Sequence, residues 1–224
     1  MKIDAVSPVL FSDPLPAAAG AIIIGGGIVG VMTAWVLSKR GIKAVVLEKG
    51  RIAGEQSSRN WGWIRQQGRD PAELSIMIEA NRIWKGLEKE TGEDLGFRQA
   101  GVLYLANSLK DMIGFENWRP HARAHQLDTT LLTGAQAAEM LPGSHADGMG
   151  GLWTASDARA EPWTAVPALA RAAQRMGVTI IENCAARTLD LQGGKIAGVV
   201  TEKGRIACEQ VIVAGGAWSS MFLR

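Results

Sequence analysis

Short apolar runs and glycine-rich turns alternate along the first quarter of the chain. Residues 21–24 and 43–47 are apolar runs of the length and composition of buried strands. Between them, apolar residues recur at helical spacing over residues 31–37, and the pattern stops at a basic residue followed by Gly41, which is typical of a helix end. The pattern predicts a strand, a helix and a second strand, the repeating unit of an α/β fold.

The later pattern predicts a mixture of helices and strands. Capping residues mark helix starts, and paired glycines or Lys-Gly mark hairpin turns. The predicted elements are a helix starting at Asp70-Pro71, a strand at 101–106, a helix from about Ser108, a short helix with a capping box at Thr133 and Gln136, a helix ending at Gly177, a strand at 178–181, a meander with turns at 193–194 and 203–204, and a strand at 211–213.

The turn after the first strand has the spacing Gly-x-Gly-x-x-Gly. Gly25 allows the chain to turn sharply, Gly27 lets the backbone approach a pyrophosphate, and Gly30 lets the following helix pack close to the strand. The N–H groups at the start of this helix, at Ile28 and Val29, would face the phosphates with the positive end of the helix dipole. The motif predicts a dinucleotide site, with a glycine-rich turn that binds nothing as the structural alternative.

An acidic residue follows the second predicted strand. Glu48 lies about 20 residues beyond the glycines, where a carboxylate can accept hydrogen bonds from both hydroxyls of an adenosine ribose. A 2′-phosphate would meet a like charge there, so the acid disfavours an NADP-type ligand. The strand, turn, helix, second strand and acid together are more specific than the glycines alone.

The loop at residues 49–63 is rich in glycine and hydroxyl groups and contains two tryptophans. Ser57, Ser58 and Asn60 can donate hydrogen bonds to phosphate oxygens, and Gly62 allows close approach. The two indoles can enclose a planar ring. The alternative is an exposed connecting loop whose tryptophans pack on neighbouring residues.

Composition narrows the class of protein. The chain has 224 residues, 47% of them hydrophobic, and a net charge of +2, so it can bury a core and has no basic block typical of nucleic-acid binding. Cys184 and Cys208 lack metal-ligand or disulfide spacing, which predicts a reduced, cytoplasmic protein without a metal site. Three prolines within residues 1–20 predict a flexible leader rather than a signal peptide, and no apolar run reaches the length of a membrane span.

Three motifs, in chain order, resemble the D-amino-acid oxidase-like FAD-dependent oxidoreductases, a superfamily that includes glycine and sarcosine oxidases and D-amino-acid dehydrogenases. They are the glycine turn with Glu48, the run Ser57-Ser58-Arg59-Asn60-x-Gly62, and the run Val-Ile-Val-Ala-Gly-Gly-Ala-Trp-Ser at residues 211–219. The resemblance covers nearly all of the chain after residue 20. It implies FAD rather than NAD, and a Rossmann-like FAD-binding domain with an inserted α+β substrate-side region.

The resemblance also implies where the cofactor lies. The turn, the acid and its neighbour Lys49 hold the ADP half, and a strand at residues 178–186 offers its backbone to the adenine at Ala186. The segment at residues 214–219 returns to the first glycine turn. The predicted cofactor contacts are Gly25, Gly27, Ile28, Val29, Gly30, Glu48, Lys49, Ser57, Ser58, Asn60, Gly62, Trp63, Ala186, Ala214, Gly216 and Trp218.

The predicted organisation has four parts: a leader at residues 1–20, a first FAD-binding segment at 21–86, a partial substrate-domain insertion at 87–157, and a second FAD-binding segment at 158–224. Members of the superfamily carry a further segment after the stretch that matches residues 211–219. The resemblance therefore implies a chain truncated at its C-terminus, with an incomplete flavin pocket and weak or absent activity on its own. A second chain that supplies the missing half is one expectation.

The implied activity is oxidation of the C–N bond of an amino acid or a related primary or secondary amine. A hydride passes from the α-carbon of the neutral amine to the flavin and leaves an imine that hydrolyses. No catalytic acid or base is assigned, and Arg59 and Arg65 are candidates for a substrate carboxylate, for FAD phosphates or for surface acids. Two alternatives stay open: an NAD-binding dehydrogenase, and a non-catalytic nucleotide-binding subunit of a larger assembly.

Overall fold

A computed structural model describes residues 3–143 and 148–224, which form two compact units. The first unit comprises the chain up to Trp61 together with Thr91–Leu95 and Glu161–Arg224. The second comprises Gly62–Glu90 and Gly96–Ala160. These boundaries differ from the predicted insertion at residues 87–157, because the second unit already begins at Gly62.

The elements alternate between strand and helix near the start of the chain and become strand-rich towards its end. The helices are α1 (Ile28–Lys39), α2 (Leu74–Thr91), α3 (Leu109–Ala124), α4 (Gly134–Glu139), α5 (Pro162–Arg175) and α6 (Ser219–Phe222). The strands are β1 (Ala21–Ile24), β2 (Ala44–Leu47), β3 (Trp63–Ile64), β4 (Val102–Ala106), β5 (Thr129–Thr133), β6 (Gly150–Thr154), β7 (Ala158–Arg159), β8 (Thr179–Ile181), β9 (Ala186–Gln192), β10 (Lys195–Thr201), β11 (Gly204–Ala207) and β12 (Val211–Val213).

A parallel sheet forms the centre of the first unit, with the strand order β12-β1-β2-β8. Ile23 pairs with Ile212 on one side and with Val46 on the other. The side chains of β2 are all buried, as expected for a parallel strand covered on both faces. Helix α1 packs against β2 and α5. The strand, helix and second strand predicted from the sequence are confirmed, and the fold is α/β.

An antiparallel sheet with the order β11-β10-β9 completes the first unit. The strand that the residue pattern predicts at 178–181 is confirmed as β8. The longer strand at 178–186 that the resemblance implied is wrong, because β8 ends at Ile181 and β9 begins at Ala186 in a different sheet. The break occurs where Asn183 adopts a φ of 49° and donates its N–H to the Gly50 carbonyl. Cys184 donates its N–H to the Glu48 carbonyl. These contacts turn the chain out of the parallel sheet.

Residues 3–20 pack on the first unit and are not the flexible leader that their prolines predicted. Phe11 is 1% exposed, and its carbonyl accepts the Glu182 N–H at 2.9 Å. The Asp13 carboxylate accepts the Ile180 N–H at 2.8 Å. Proline removes an N–H donor but leaves the carbonyl acceptor, so a proline-containing segment can still bind along a strand edge.

The second unit is α+β. Its described residues contain an antiparallel sheet with the order β4-β6-β5, a two-stranded pair, β3-β7, and helices α2, α3 and α4. The predicted helix starts are confirmed: Asp70 accepts the Ala72 N–H at 2.8 Å and caps a 3-10 turn, Pro71–Glu73, that leads directly into α2, Ser108 caps α3, and Thr133 forms a capping box at α4. The pairing of β3 with β7 explains why the second unit starts before residue 87.

No helix within the described ranges is long and apolar enough to cross a bilayer.

Candidate functional site

The glycine turn packs against the segment that follows β12. Gly25 has a φ of 119°, and a Cβ at this position would overlap the Ala214 carbonyl oxygen. The Ala214 N–H donates to the Ile24 carbonyl at 2.8 Å. A Cβ on Gly30 would overlap the Gly25 carbonyl oxygen, which explains the close approach of α1 to β1. The structure therefore brings the first glycine turn and the distant return segment together, as the resemblance predicted.

The start of α1 has the character of an anion site. The helix begins at Ile28 after Gly27, and its first turn contains no acidic side chain. The Ile28 N–H donates to the Ser57 Oγ at 2.9 Å, and Val29 is 66% exposed. A hydroxyl that accepts one hydrogen bond can still donate its own proton, so Ser57 can contact a phosphate together with the positive helix end.

Glu48 is held in place beside this helix start. One carboxylate oxygen, Oε2, accepts the Gly26 N–H at 2.7 Å, and the other, Oε1, accepts the Gly50 N–H at 2.7 Å. The Glu48 N–H also donates to the Ile181 carbonyl at 3.0 Å. An ionised carboxylate has about four lone-pair positions, so two further donors, such as the hydroxyls of a ribose, can be accepted.

The loop after β2 uses several of its polar groups internally. Lys49 Nζ lies 2.9 Å from a Glu55 oxygen and 4.2 Å from the centre of the Trp218 ring. Ser58 is buried and its Oγ lies 3.5 Å from the Glu55 carbonyl oxygen, while Asn60 Nδ2 donates to the Ser57 carbonyl at 3.2 Å. Ser57 is therefore the hydroxyl that reaches α1, and phosphate contacts from Ser58 and Asn60 stay predictions.

The remaining predicted contacts lie in three different parts of the structure. Gly62 and Trp63 belong to the second unit, where the Gly62 carbonyl accepts the Ala160 N–H at 3.0 Å and Trp63 begins β3. Ala186 begins β9, where it pairs with Thr201. Gly216 and Trp218 lie in the 3-10 turn after β12. A cofactor role for Gly62, Trp63, Ala186, Gly216 and Trp218 stays a prediction.

The donor set fits the ADP half of FAD. The Gly27 position would place a Cβ only 3.1 Å from the Ser57 Oγ, so the space above the turn suits a bare backbone. An open helix start, an adjacent hydroxyl and a carboxylate held by two backbone N–H groups match the needs of a pyrophosphate and a ribose. The described residues contain no group of three His, Cys, Asp or Glu side chains arranged to hold a metal ion.

The second unit contains a buried polar network that the sequence analysis missed. Asp157 is 0% exposed, and its carboxylate accepts the Gln66 N–H at 2.8 Å, the Gln67 N–H at 3.1 Å and the Gln66 Nε2 at 3.2 Å. Burial raises the pKa of Asp157, and the backbone donors oppose this shift. Thr154 Oγ1 donates to the Gln67 Oε1 at 2.8 Å. The feature of the sequence that could have indicated this network is the pair of glutamines, Gln66 and Gln67, shortly after β3.

Arg65 lies in the same unit between two aromatic rings. Its guanidinium carbon is 5.5 Å from the centre of the Trp63 ring and 5.8 Å from that of Tyr104, and Nη1 donates to the Gln67 carbonyl. Burial raises the pKa of Tyr104, while the Arg65 charge lowers it. In contrast, Arg59 pairs with Glu55 at 3.2 Å within the first unit.

The family model for FAD-dependent oxidoreductases of the DAO type matches residues 21–224. The chain belongs to this family. FAD is the cofactor of DAO-family enzymes, so the NAD-binding alternative is wrong. The family assignment confirms the predicted resemblance.

Similar proteins are FAD-dependent amino-acid and amine oxidases or dehydrogenases. Mouse mitochondrial sarcosine dehydrogenase is 30% identical over 217 residues, which are 93% of this chain and 24% of that protein. The beta subunit of sarcosine oxidase from Arthrobacter sp. is 33% identical over 95% of this chain and 55% of that protein. The L-amino acid deaminase structure from Proteus myxofaciens, in complex with anthranilate, superposes with a TM-score of 0.92 at 32% identity, over 100% of this chain and 52% of that one.

This DAO-family chain thus spans about half of the length of two of these relatives and about a quarter of the third.

Proposed function

We propose that this chain binds the ADP half of FAD and contributes to an oxidoreductase that oxidises the C–N bond of an amino acid or a related amine. The observation that carries the proposal is Glu48, whose two carboxylate oxygens are each held by a backbone N–H beside the open start of α1. Relatives named for sarcosine and L-amino acids support this class of substrate.

The chain's own residues have distinct roles in this proposal. Bound FAD supplies the two-electron acceptor, and the protein supplies binding and orientation. The glycine turn and the α1 start bind the pyrophosphate, and Glu48 binds the ribose. Additional contacts are proposed for Lys49, Ser57, Ser58, Asn60, Gly62, Trp63, Ala186, Ala214, Gly216 and Trp218.

Arg65 is the proposed partner of a substrate carboxylate. A guanidinium carries five N–H donors in a planar fork that matches a carboxylate. The hydrogen bond from Nη1 to the Gln67 carbonyl fixes the direction of this fork, and the Trp63 and Tyr104 rings lie next to it. Arg59 is less suited to this role because its guanidinium already pairs with Glu55.

Association with a further polypeptide is part of the proposal. One relative is named as the beta subunit of sarcosine oxidase, and this chain matches 55% of that subunit. A cytoplasmic location stays a prediction, supported by two buried cysteines in the thiol form, Cys184 and Cys208.

An absorbance spectrum of the purified, FAD-reconstituted chain tests the function. We expect flavin bands. Because the resemblance implies an incomplete flavin pocket, sarcosine added without oxygen should bleach these bands only slowly, and dimethylamine, which lacks the carboxylate that Arg65 would bind, should bleach them more slowly still. Flavin bands that no amino acid or amine bleaches would favour the non-catalytic alternative. A chain that retains no FAD would overturn the proposal.

Glu48→Arg tests the cofactor site directly. We expect the dissociation constant for FAD to rise by at least about 30-fold, because the variant loses charge-assisted hydrogen bonds to the ribose and leaves the Gly26 and Gly50 N–H groups without an acceptor. Glu209→Arg, an equal change of charge at an exposed position, is the matched control and should bind FAD like the wild type. Equal FAD affinities of the two variants would exclude the proposed ribose contact.

A further inference from the structure

The N-terminal segment at residues 4–13, called the strap from here on, lies along the edge of the parallel sheet. Ser12 and Ile181 form an antiparallel bridge, and the Asp13 N–H donates to the Ile180 carbonyl at 3.3 Å. Phe11 is buried and accepts the Glu182 N–H through its carbonyl. The strap therefore extends the sheet beyond β8 and lies outside the residues matched by the family model.

A single buried carboxylate joins the strap to the loop that follows Glu48. Glu182 is 2% exposed, and its Oε2 accepts the Leu10 N–H at 2.7 Å and the Phe11 N–H at 3.3 Å. The other oxygen, Oε1, accepts the Ile52 N–H at 2.7 Å. Both oxygens are thus occupied, one by the strap and one by residues 50–53, which we call the ribose loop.

Arg51 makes a second connection between the same two segments. Its Nε donates to the Ser7 carbonyl at 2.7 Å, and Nη2 donates to the Ala5 carbonyl at 3.2 Å. Nη1 donates to the Asn183 side chain, beside Glu182. A guanidinium that binds three separate acceptors fixes the ribose loop more firmly than a lysine at this position would.

The ribose loop in turn positions the cofactor-binding groups. The Gly50 N–H holds the Glu48 carboxylate, and the Ala53 N–H donates to the Gly26 carbonyl at 3.0 Å. Ala53 adopts a φ of 62°, a left-handed conformation that is unfavourable for an alanine. Ile52 is 1% exposed. This loop conformation needs support from its surroundings, and Glu182 and Arg51 provide it.

We propose that the strap, through Glu182 and Arg51, positions the ribose loop and thereby sets the affinity of the Glu48 site for the ADP half of FAD. Glu182 and Arg51 are positioning residues: Glu182 accepts an N–H of the ribose loop, and Arg51, within that loop, donates to the strap. This inference rests on the FAD site proposed above.

The test uses the full chain and two measurements, amide hydrogen exchange of the ribose loop without any ligand and the dissociation constant for ADP. In Glu182→Gln the new amide N–H₂ faces a backbone N–H in either orientation, so we expect about tenfold faster exchange and about tenfold weaker ADP binding. Arg51→Lys keeps the charge and should produce about threefold changes in both, which keeps the test decisive if Glu182→Gln fails to fold.

Asp13→Asn is the matched control. This carboxylate also joins the strap to β8 and α5, through the Ile180 N–H and the Gln174 side chain at 2.8 Å each, but neither contact involves the ribose loop. We expect the control to lower the melting temperature while loop exchange and ADP affinity stay within about twofold of the wild type. If the strap had a purely structural role, all three variants would change loop exchange and ADP affinity by similar factors. That result would overturn the inference.

The possible failures are distinguishable. Unchanged loop exchange in both Glu182→Gln and Arg51→Lys, with normal ADP binding, overturns the role of the strap and leaves the FAD site intact. Faster loop exchange with unchanged ADP affinity overturns the positioning role. A wild-type chain that binds neither ADP nor FAD overturns the proposed site and the inference that rests on it.

Discussion

Each of the two units buries a carboxylate against backbone N–H groups, but the two carboxylates differ in what they leave available. In the first unit, each oxygen of Glu48 accepts one backbone N–H, and the residue keeps 8% of its surface exposed. In the second unit, Asp157 accepts three N–H groups and is 0% exposed.

The difference separates a carboxylate that can accept further hydrogen bonds from one that cannot. A carboxylate with two remaining lone-pair positions and a path to solvent can accept hydrogen bonds from a ligand. A sealed carboxylate with three protein donors can only hold its neighbours, here the backbone after β3. Burial of an acidic residue is therefore not a sign of function until its hydrogen-bond partners and its exposure are known.

Removal of the sealed carboxylate should give the largest loss of stability. We expect Asp157→Ala to lower the free energy of unfolding by about 3 kcal/mol, because the Gln66 and Gln67 N–H groups lose their buried acceptor. Urea unfolding measures this change. Glu116→Ala, in the same unit but at an exposed position of α3, should change the free energy by less than about 0.5 kcal/mol. Equal losses in the two variants would contradict the structural role of Asp157.

The first unit depends on close packing of its backbone, which predicts the next largest effect. Gly30→Ala should cost about 2 kcal/mol of stability and weaken FAD binding, since the added methyl group would overlap the Gly25 carbonyl oxygen. Thermal unfolding and FAD titration measure the two losses.

Gly86→Ala provides the matched comparison in the second unit. Gly86 lies inside α2, and a Cβ there meets nothing within 4 Å. We expect a gain of about 0.7 kcal/mol, because alanine favours the helix. A similar destabilisation by the two glycine substitutions would show that the helix–strand contact at Gly30 is not as close as described.

A weaker test uses pH. The pKa of Asp157 is raised in the folded protein, mainly by burial. The folded state then binds more protons than the unfolded state between the ordinary aspartate pKa of about 4 and the raised value, so this contribution to stability falls as pH rises through that window. Urea unfolding of the wild type and of Asp157→Asn, from about pH 4 upwards, measures this effect. We expect the free energy of unfolding of the wild type to fall relative to that of the variant as the pH rises. A rise of the wild-type value relative to the variant would contradict the raised pKa.

Much of the fold was predictable because its signals are local in sequence. The helix starts at Asp70, Ser108 and Thr133 depend on side chains that bind N–H groups two or three residues away, so residue type and spacing suffice. The glycine turn and Glu48 were predictable for a related reason, since the β-α-β connection fixes which groups meet at the end of the strands.

The missed features join segments that are far apart in sequence. Asp157 binds residues about 90 positions earlier in the chain. Glu182 binds both the strap, more than 170 positions earlier, and the ribose loop, 130 positions earlier. Neither the periodicity nor the composition of the sequence indicates which distant residues form such hydrogen-bonded pairs. The prolines near the N-terminus indicate flexibility, but hydrogen bonds to β8 and to Glu182 hold this segment in place.

The sequence by itself determined the α/β class, the helix caps and the hairpin turns, because each depends on nearby residues or on the β-α-β connection between neighbouring elements. Only the tertiary structure decided that the N-terminal segment is a strap, that residues 178–186 are split between two sheets, and that Glu48 is available to a ligand while Asp157 is sealed. The physical reason is that burial and hydrogen-bond saturation are properties of groups brought together by folding, and a single residue in the chain does not encode them.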